Sequence, residues 1–193
     1  MQEYDLIADW YRSDRGTSAG VKEALTAVAS LPSGSHVLDV GCGNGFPITD
    51  ALVKAGYCVV GFDSSQGMLA RFRINLPDTP SVRGDARACP FVDKAFDAAI
   101  SWGMLFHLTP SNQAKAFTSM ARVLKRGAPF LFTAAEILDV GENDAGITGT
   151  MNGVTFHYYA IPDYRTFIER YGFELVDVVD DQGVSTYYFA RRI

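Results

Sequence analysis

The sequence predicts an α/β fold in which a mostly parallel sheet ends in an antiparallel hairpin, and three observations carry that reading. Strand and helix patterns alternate from Val37 onward, the arrangement that builds parallel sheets covered by helices. The apolar run from Val37 to Val40 empties into Gly41-Cys42-Gly43-Asn44-Gly45, a glycine turn that opens a helix and lets a ligand approach bare backbone. At the far end, two strand-like runs are joined by Asp180-Asp181-Gln182-Gly183, a connection short enough to make the pair antiparallel.

The elements follow in order. Leu6, Ile7, Trp10 and Tyr11 form the apolar face of a short first helix, and Val21, Ala24, Leu25, Val28 and Ala29 that of a second, ended by Pro32. The first strand spans 37–40. Pro47 then sits in a first helical turn, where its missing N–H is tolerated, and that helix runs toward Gly56. Residues 57–62 make the second strand, another helix starts near Ser65, and a brief third strand lies around Val82, before Asp85. The continuous apolar run Ala98-Ala99-Ile100 marks 96–102 as a fourth strand buried on both faces. Thr109 caps the next helix, Pro110 takes its first position, and Ala114, Phe117, Ala121 and Leu124 recur at helical spacing up to Gly127. A fifth strand covers 129–135. The stretch 136–153 holds four glycines, matches neither period and reads as a long functional loop, while 155–158 fits a short strand. Tyr164, Phe167, Ile168 and Tyr171 mark the last helix, and 173–179 with 184–190 form the terminal hairpin.

Composition removes several function classes. Seventeen basic residues against twenty-two acidic ones give a net charge of -5, the wrong sign for tracking a phosphate backbone, so no nucleic-acid partner is expected. Cys42, Cys58 and Cys89 lack any Cys-x-x-Cys spacing; neither a disulfide framework nor a zinc site is indicated, and a reducing cytoplasm fits. Glu3, Asp5 and Asp9 stand where a secretory signal is basic and then apolar, and no run is long enough to span a bilayer. A cytoplasmic protein with no membrane partner is the expectation.

The glycines at 41, 43 and 45 alternate, whereas the dinucleotide fingerprint needs its third glycine one place later. Asp63 ends the second strand about 20 residues beyond the first glycine, where a carboxylate accepts from both hydroxyls of a ribose. Together with Asp85, the segment from Cys89 to Asp97 and the terminal hairpin, this series resembles the class I S-adenosylmethionine-dependent methyltransferases over the middle two-thirds of the chain, with a weaker echo at both ends. The resemblance implies a Rossmann-like three-layer sandwich with a mostly parallel seven-stranded sheet. It implies S-adenosyl-L-methionine as cofactor, S-adenosyl-L-homocysteine as product, and in-line methyl transfer to a small-molecule acceptor.

Carried residue by residue, the resemblance places the backbone of Gly41, Cys42 and Gly43 around the methionine part of the cofactor, with Asp39 orienting that loop. Asp63 takes the ribose hydroxyls, Ser64 and Met68 flank ribose and adenine, and Asp85 with the amide of Ala86 meets the adenine edge. Ser101 lies against the methionine moiety. The aromatics Tyr4, Trp10 and Tyr11 imply an N-terminal lid, with Tyr11 against the cofactor. His107 and His157 are the candidate catalytic bases, and Trp102, Tyr158 and Tyr159 the candidate acceptor-pocket walls. On this reading residues 1–193 form one methyltransferase domain: helices and lid over 1–34, a cofactor-binding core over 35–135, an acceptor-side loop over 136–160, and the final helix and hairpin over 161–193.

Blander readings stand beside these. Asp63 also suits a helix cap, His107 a buried polar contact, the tyrosines core filling, and Cys42 a small residue admitting close backbone approach. Arg126 occupies a position where many relatives have proline. The segment Ser101-Trp102-Gly103-Met104 lacks the Asn/Asp-Pro-Pro-aromatic signature of enzymes that methylate base amines, which argues against a base acceptor. Asp139, Glu142, Asp144 and Asp163 show no repeated ligand spacing and read as a solvated acidic loop, so no metal is expected. Two other classes stay open: an NAD(P)-dependent oxidoreductase, which shares the strand, glycine turn and acid, and a non-catalytic methyltransferase-like binding module.

Overall fold

The computed structural model describes residues 3–11, 18–134, 146–180 and 186–193. Two helices come first, α1 (Glu3–Ile7) and α2 (Val21–Val28), and then the strands and helices alternate: β1 (His36–Val40), α3 (Ile48–Lys54), β2 (Cys58–Asp63), α4 (Gln66–Asn75), β3 (Ser81–Arg83), β4 (Ala98–Ser101), α5 (Pro110–Val123) and β5 (Pro129–Ala134). A separate hairpin, β6 (Ile147–Met151) and β7 (Val154–Tyr158), precedes α6 (Tyr164–Glu169), β8 (Phe173–Asp180) and β9 (Thr186–Arg192). The main sheet has seven strands in the order β3-β2-β1-β4-β5-β9-β8. Strands β1 to β5 run parallel, while β9 is antiparallel to both β5 and β8. The Rossmann-like sheet with its antiparallel end is therefore as the sequence implied. Among the described residues, no helix is long and apolar enough to cross a membrane.

Alternation along the strands explains the layers. In β1, Val37 joins Ala24, Val28, Ile48 and Leu52 on the face covered by α2 and α3. Its neighbours Leu38 and Val40 point to the opposite face, into a cluster with Phe117 of α5, Phe130 and Phe132 of β5, and Ile168 of α6. Where both faces are buried, in the central strands, the sequence is nearly continuously apolar, as in Ala98-Ala99-Ile100 of β4. Asp39 of β1 is a charged-type residue buried among them. Thr109 caps α5 as its sequence suggests, accepting from the Asn112 amide, and Ser65 caps α4 by accepting from Met68 N at 3.0 Å. Pro47 stands at the cap of α3 rather than inside its first turn.

Two departures concern the roof of the molecule. Residues 147–158, read largely as loop, form the β6–β7 hairpin, turned at Asn152 and Gly153 with φ of 47° and 75°. An Asn-Gly pair with both φ positive is the strongest short-range hairpin signal, and it was present in the sequence. The pattern around it is irregular because Phe156 alone of the hairpin is fully buried in the cluster with Ile7, Ala8 and Met68, while Met151, Val154 and Tyr158 pack against it only partly buried. Likewise α1 is shorter than its apolar pattern: Ile7 is buried, but Leu6 is 73 % exposed. The acidic residues Asp139, Glu142 and Asp144 and most of the β8–β9 connection lie outside the described residues. Asp163 caps α6, accepting from the Thr166 amide at 3.1 Å.

Candidate functional site

The strand order reverses between β1 and β4, so the loops after these two strands diverge and leave a crevice at their carboxyl ends. A cavity of about 380 Å³ occupies it, within the range of small-molecule pockets. The sheet order gives the cavity two chemically different sides. Asp63, at the end of β2, and Asp85, after β3, make one side acidic, together with Ser64, Met68 and Ala86. Trp102, Gly103, Met104 and Leu108, which follow β4, make the other apolar. Tyr4 and Tyr11 from the N-terminal segment close it above.

The floor is the glycine turn. Gly41 and Gly43 have φ of 77° and 54°, the left-handed region that glycine enters without strain. A Cβ on Gly41 would meet Met104 Cβ at 2.6 Å, whereas a Cβ on Gly43 would find nothing among the described residues nearer than Tyr11 Cε1 at 4.0 Å and would stand in the cavity. The turn is stitched to β2: the Gly41 amide donates to the Phe62 carbonyl at 2.7 Å, and the Gly43 amide to Asp63 Oδ2 at 2.9 Å. Asp63 Oδ1 accepts from the Ser65 amide at 2.8 Å. Asp63 thus braces two loops while its carboxylate still opens on the cavity. Burial raises its pKa, against the two amides that lower it.

Asp39 lies beneath the turn, buried, and accepts from Thr49 Oγ1 of α3 at 2.5 Å. Burial, opposed by the Thr49 hydroxyl and assisted by the nearby Asp63 charge, pushes its pKa up to about 7. An acid whose folded pKa lies above its ordinary value of 3.8 contributes stability that is present below that value and is lost as pH rises toward about 7. We therefore expect Asp39→Asn, which keeps an oxygen for Thr49, to flatten the pH dependence of stability. In thermal melts at pH 4.5 and 7.5, the variant should gain on the native protein as pH rises; a constant difference contradicts this.

Cys42 is buried, and burial together with Asp39 and Asp63 raises its thiol well above the ordinary range, so it is no nucleophile. Asp85 lines the cavity but has both carboxylate oxygens on Arg87, through Nε at 2.9 Å and Nη2 at 2.5 Å, and this guanidinium holds its pKa down. The N-terminal segment is latched near the same place. Asp5 accepts from Ser65 Oγ at 2.6 Å and from the Gly67 amide at 2.8 Å, and Asp9 pairs with Arg71.

Of the residues singled out in the sequence, the fold brings Tyr11, Gly41, Gly43, Asp63, Ser64, Met68, Asp85 and Ala86 to one cavity. Asp39, Cys42 and Ser101 are instead packed beneath its lining, because their strand and turn positions point into the core. His157 is not brought there: on β7 alternation turns its ring outward, where it stacks on Tyr159. His107 is buried behind the wall and reaches the cavity through Tyr4, whose Oη is 3.0 Å from His107 Nε2. Trp102 lines the cavity, Tyr158 packs on Phe106 and His107, and Tyr159 lies away from it. Tyr4 lines the cavity as the lid reading expects, whereas Glu3, Arg87 and Met104 are lining residues that sequence reasoning did not assign to the site. Of these three only Arg87 has a local signal, being a base two residues after Asp85.

Comparison with known proteins agrees with this geometry. Residues 37–127 match the family described as "Methyltransferase domain". A demethylmenaquinone methyltransferase of Renibacterium salmoninarum is 41% identical over 104 residues, 53% of this chain and 42% of that protein. The chain spans about half the length, or less, of the curated relatives it matches. Among solved structures, the CcbJ methyltransferase of Streptomyces caelestis superposes with a TM-score of 0.81 at 18% identity, covering 100% of this chain and 98% of the other. A 1,6-didemethyltoxoflavin-N1-methyltransferase of Burkholderia thailandensis, solved with that compound and S-adenosylhomocysteine, gives 0.73 at 18% identity, covering 98% and 86%. With the glycine floor, the strand-end acids and the seven-stranded order in place, residues 37–127 are similar to methyltransferase domains, and the chain has the fold of solved S-adenosylmethionine-dependent methyltransferases.

Proposed function

We propose that the protein transfers a methyl group from S-adenosylmethionine to a small-molecule acceptor held in the cavity between β1 and β4. The observation that carries this is the two-sided cavity: bare backbone and strand-end carboxylates on one side, an apolar wall on the other. The residues fit the cofactor. The open space over Gly43 admits a chain against the backbone, Asp63 retains acceptor capacity for ribose hydroxyls, and Asp85 with Ala86 presents the pairing edge for adenine, once shared with Arg87. Ser64 and Met68 flank them, and Asp39 and Cys42 support the turn from below.

Bound S-adenosylmethionine supplies an electrophilic methyl carbon, so the protein's main task is alignment and exclusion of water. Alignment of two bound reactants contributes on the order of 7–11 kcal/mol. The roof serves exclusion: α1 rests on Met68 and on the β6–β7 hairpin and is pinned by Asp5 and Asp9, so Tyr4 and Tyr11 lie over the turn. A small acceptor is supported by the cavity's size, by the net negative charge, which disfavours nucleic acid, and by relatives whose names specify small compounds.

Calorimetric titration of the full chain with S-adenosylmethionine, S-adenosylhomocysteine and NADH tests the proposal. Binding of both sulfur nucleosides and none of NADH is the expected result. Binding of NADH alone would return the oxidoreductase reading.

A further inference from the structure

Arg87 lines the cavity beside Asp85, and its side chain is folded onto that carboxylate rather than out into water. The fold is local. Asp85 caps one 3₁₀ turn over Ala86–Ala88, its Oδ1 accepting from the Arg87 amide at 2.9 Å. The same turn carries the Arg87 side chain back over the acid: Nε lies 2.9 Å from both oxygens, and Nη2 lies 2.5 Å from Oδ2. A carboxylate has about four lone-pair sites. Here Oδ1 accepts from the amide and Nε, and Oδ2 from Nε and Nη2, so one residue fills the acceptor capacity of Asp85.

Resting on the methyl-transfer reading, we propose that Arg87 is an internal competitor for Asp85, which the adenine amino group must displace, and that it thereby sets the affinity for adenosyl ligands. The two rivals ask for the same thing. A guanidinium and an exocyclic amine both present planar N–H donors to an acceptor oxygen. In the free protein the guanidinium holds Oδ2; in the complex the amine takes that oxygen and the guanidinium turns outward. The Arg87 amide stays on Oδ1 throughout, so the carboxylate keeps its aim without the guanidinium.

Exposure makes the exchange reversible. Both side chains of the pair are 43% exposed, a setting in which an ion pair contributes little and the released guanidinium regains water. The competition also blunts recognition of the amine. When a ligand lacks that group, the guanidinium remains on Asp85 and the carboxylate is not left without donors, so the native protein loses little. With the guanidinium removed, the amine meets a full carboxylate charge, and its hydrogen bond becomes stronger.

The test compares the native full chain with Arg87→Met, which keeps an unbranched stem and removes the donors. Two ligands are titrated calorimetrically at low salt: S-adenosylhomocysteine, and its analogue with hydrogen in place of the adenine amino group. We expect S-adenosylhomocysteine to bind the variant about two- to five-fold tighter, the range of an exposed ion pair, and the analogue to bind both proteins equally. The native protein gives a check that needs no variant. Raising salt to about 0.5 M screens the pair, so its affinity for S-adenosylhomocysteine should rise toward that of Arg87→Met, which should hardly move. Unchanged or weaker binding of S-adenosylhomocysteine by the variant, or native binding indifferent to salt, overturns the competition. Equal tightening of both ligands also overturns it, because the amine is then not the rival group. Failure of the native protein to bind S-adenosylhomocysteine at any salt concentration is a different result: it removes the methyl-transfer reading itself, and the proposal with it.

Discussion

Replacing Asp63 by alanine is expected to weaken S-adenosylmethionine binding by about 1.5–3 kcal/mol, roughly 10- to 150-fold, measured by calorimetry. The carboxylate would offer charge-assisted bonds to the ribose hydroxyls. A second consequence comes from within the protein. Asp63 also accepts from the Gly43 and Ser65 amides, so its removal leaves two donors without their partner and frees the glycine turn from β2. Each orphaned amide costs about 1–3 kcal/mol where water cannot replace the acceptor. A lower melting temperature should therefore accompany the lost affinity. Asp63→Asn separates the two effects: its oxygen can still serve one amide, so stability should recover more than binding. Unchanged affinity in folded Asp63→Ala would remove the residue from the site.

The second large effect concerns two glycines that look equivalent in sequence. Gly43→Val is expected to abolish cofactor binding to below calorimetric detection while lowering stability by only about 1–2 kcal/mol, the strain of a branched residue at positive φ. Its side chain would project into the cavity, where Tyr11 is the nearest neighbour among the described residues. Gly41→Ala should do the reverse in emphasis. Its Cβ would collide with Met104 Cβ and Cγ at 2.6 and 2.8 Å, so the loop after β4 must shift and the protein should melt early. Denaturant melts paired with titrations distinguish the two. A Gly43→Val protein that still binds S-adenosylhomocysteine would show that the ligand does not approach this backbone.

The parts of this molecule that were legible in the sequence are those whose physics is local. Thr109-Pro110 announces a helix start because a cap and a fixed φ act within four residues, and α5 begins there. Ala98-Ala99-Ile100 announces a central strand because both faces must be apolar, and β4 pairs with β1 and β5. The glycine turn and Asp63 were legible together, since a parallel β-α-β unit places the ends of neighbouring strands side by side. The β6–β7 hairpin was missed although Asn152-Gly153 signalled it, because its strands show no clean alternation: only Phe156 among them is fully buried. Leu6 was read as core because α1 was taken as a longer helix.

Taken alone, the amino-acid order determined the α/β alternation, the bare turn at Gly41 and Gly43 and the acids at the strand ends, since each depends on neighbours a few residues apart or on a repeating unit. Tertiary structure decided which of those groups face the ligand. It turned Asp39, Cys42 and Ser101 into the packing, bound Asp85 to Arg87, sent the His157 ring outward, and set Tyr4 against His107 across 103 residues of chain. The reason is that side-chain direction follows from pleat and helix phase, whereas the partner a side chain meets depends on how distant elements pack to bury apolar surface. No local pattern encodes that second choice.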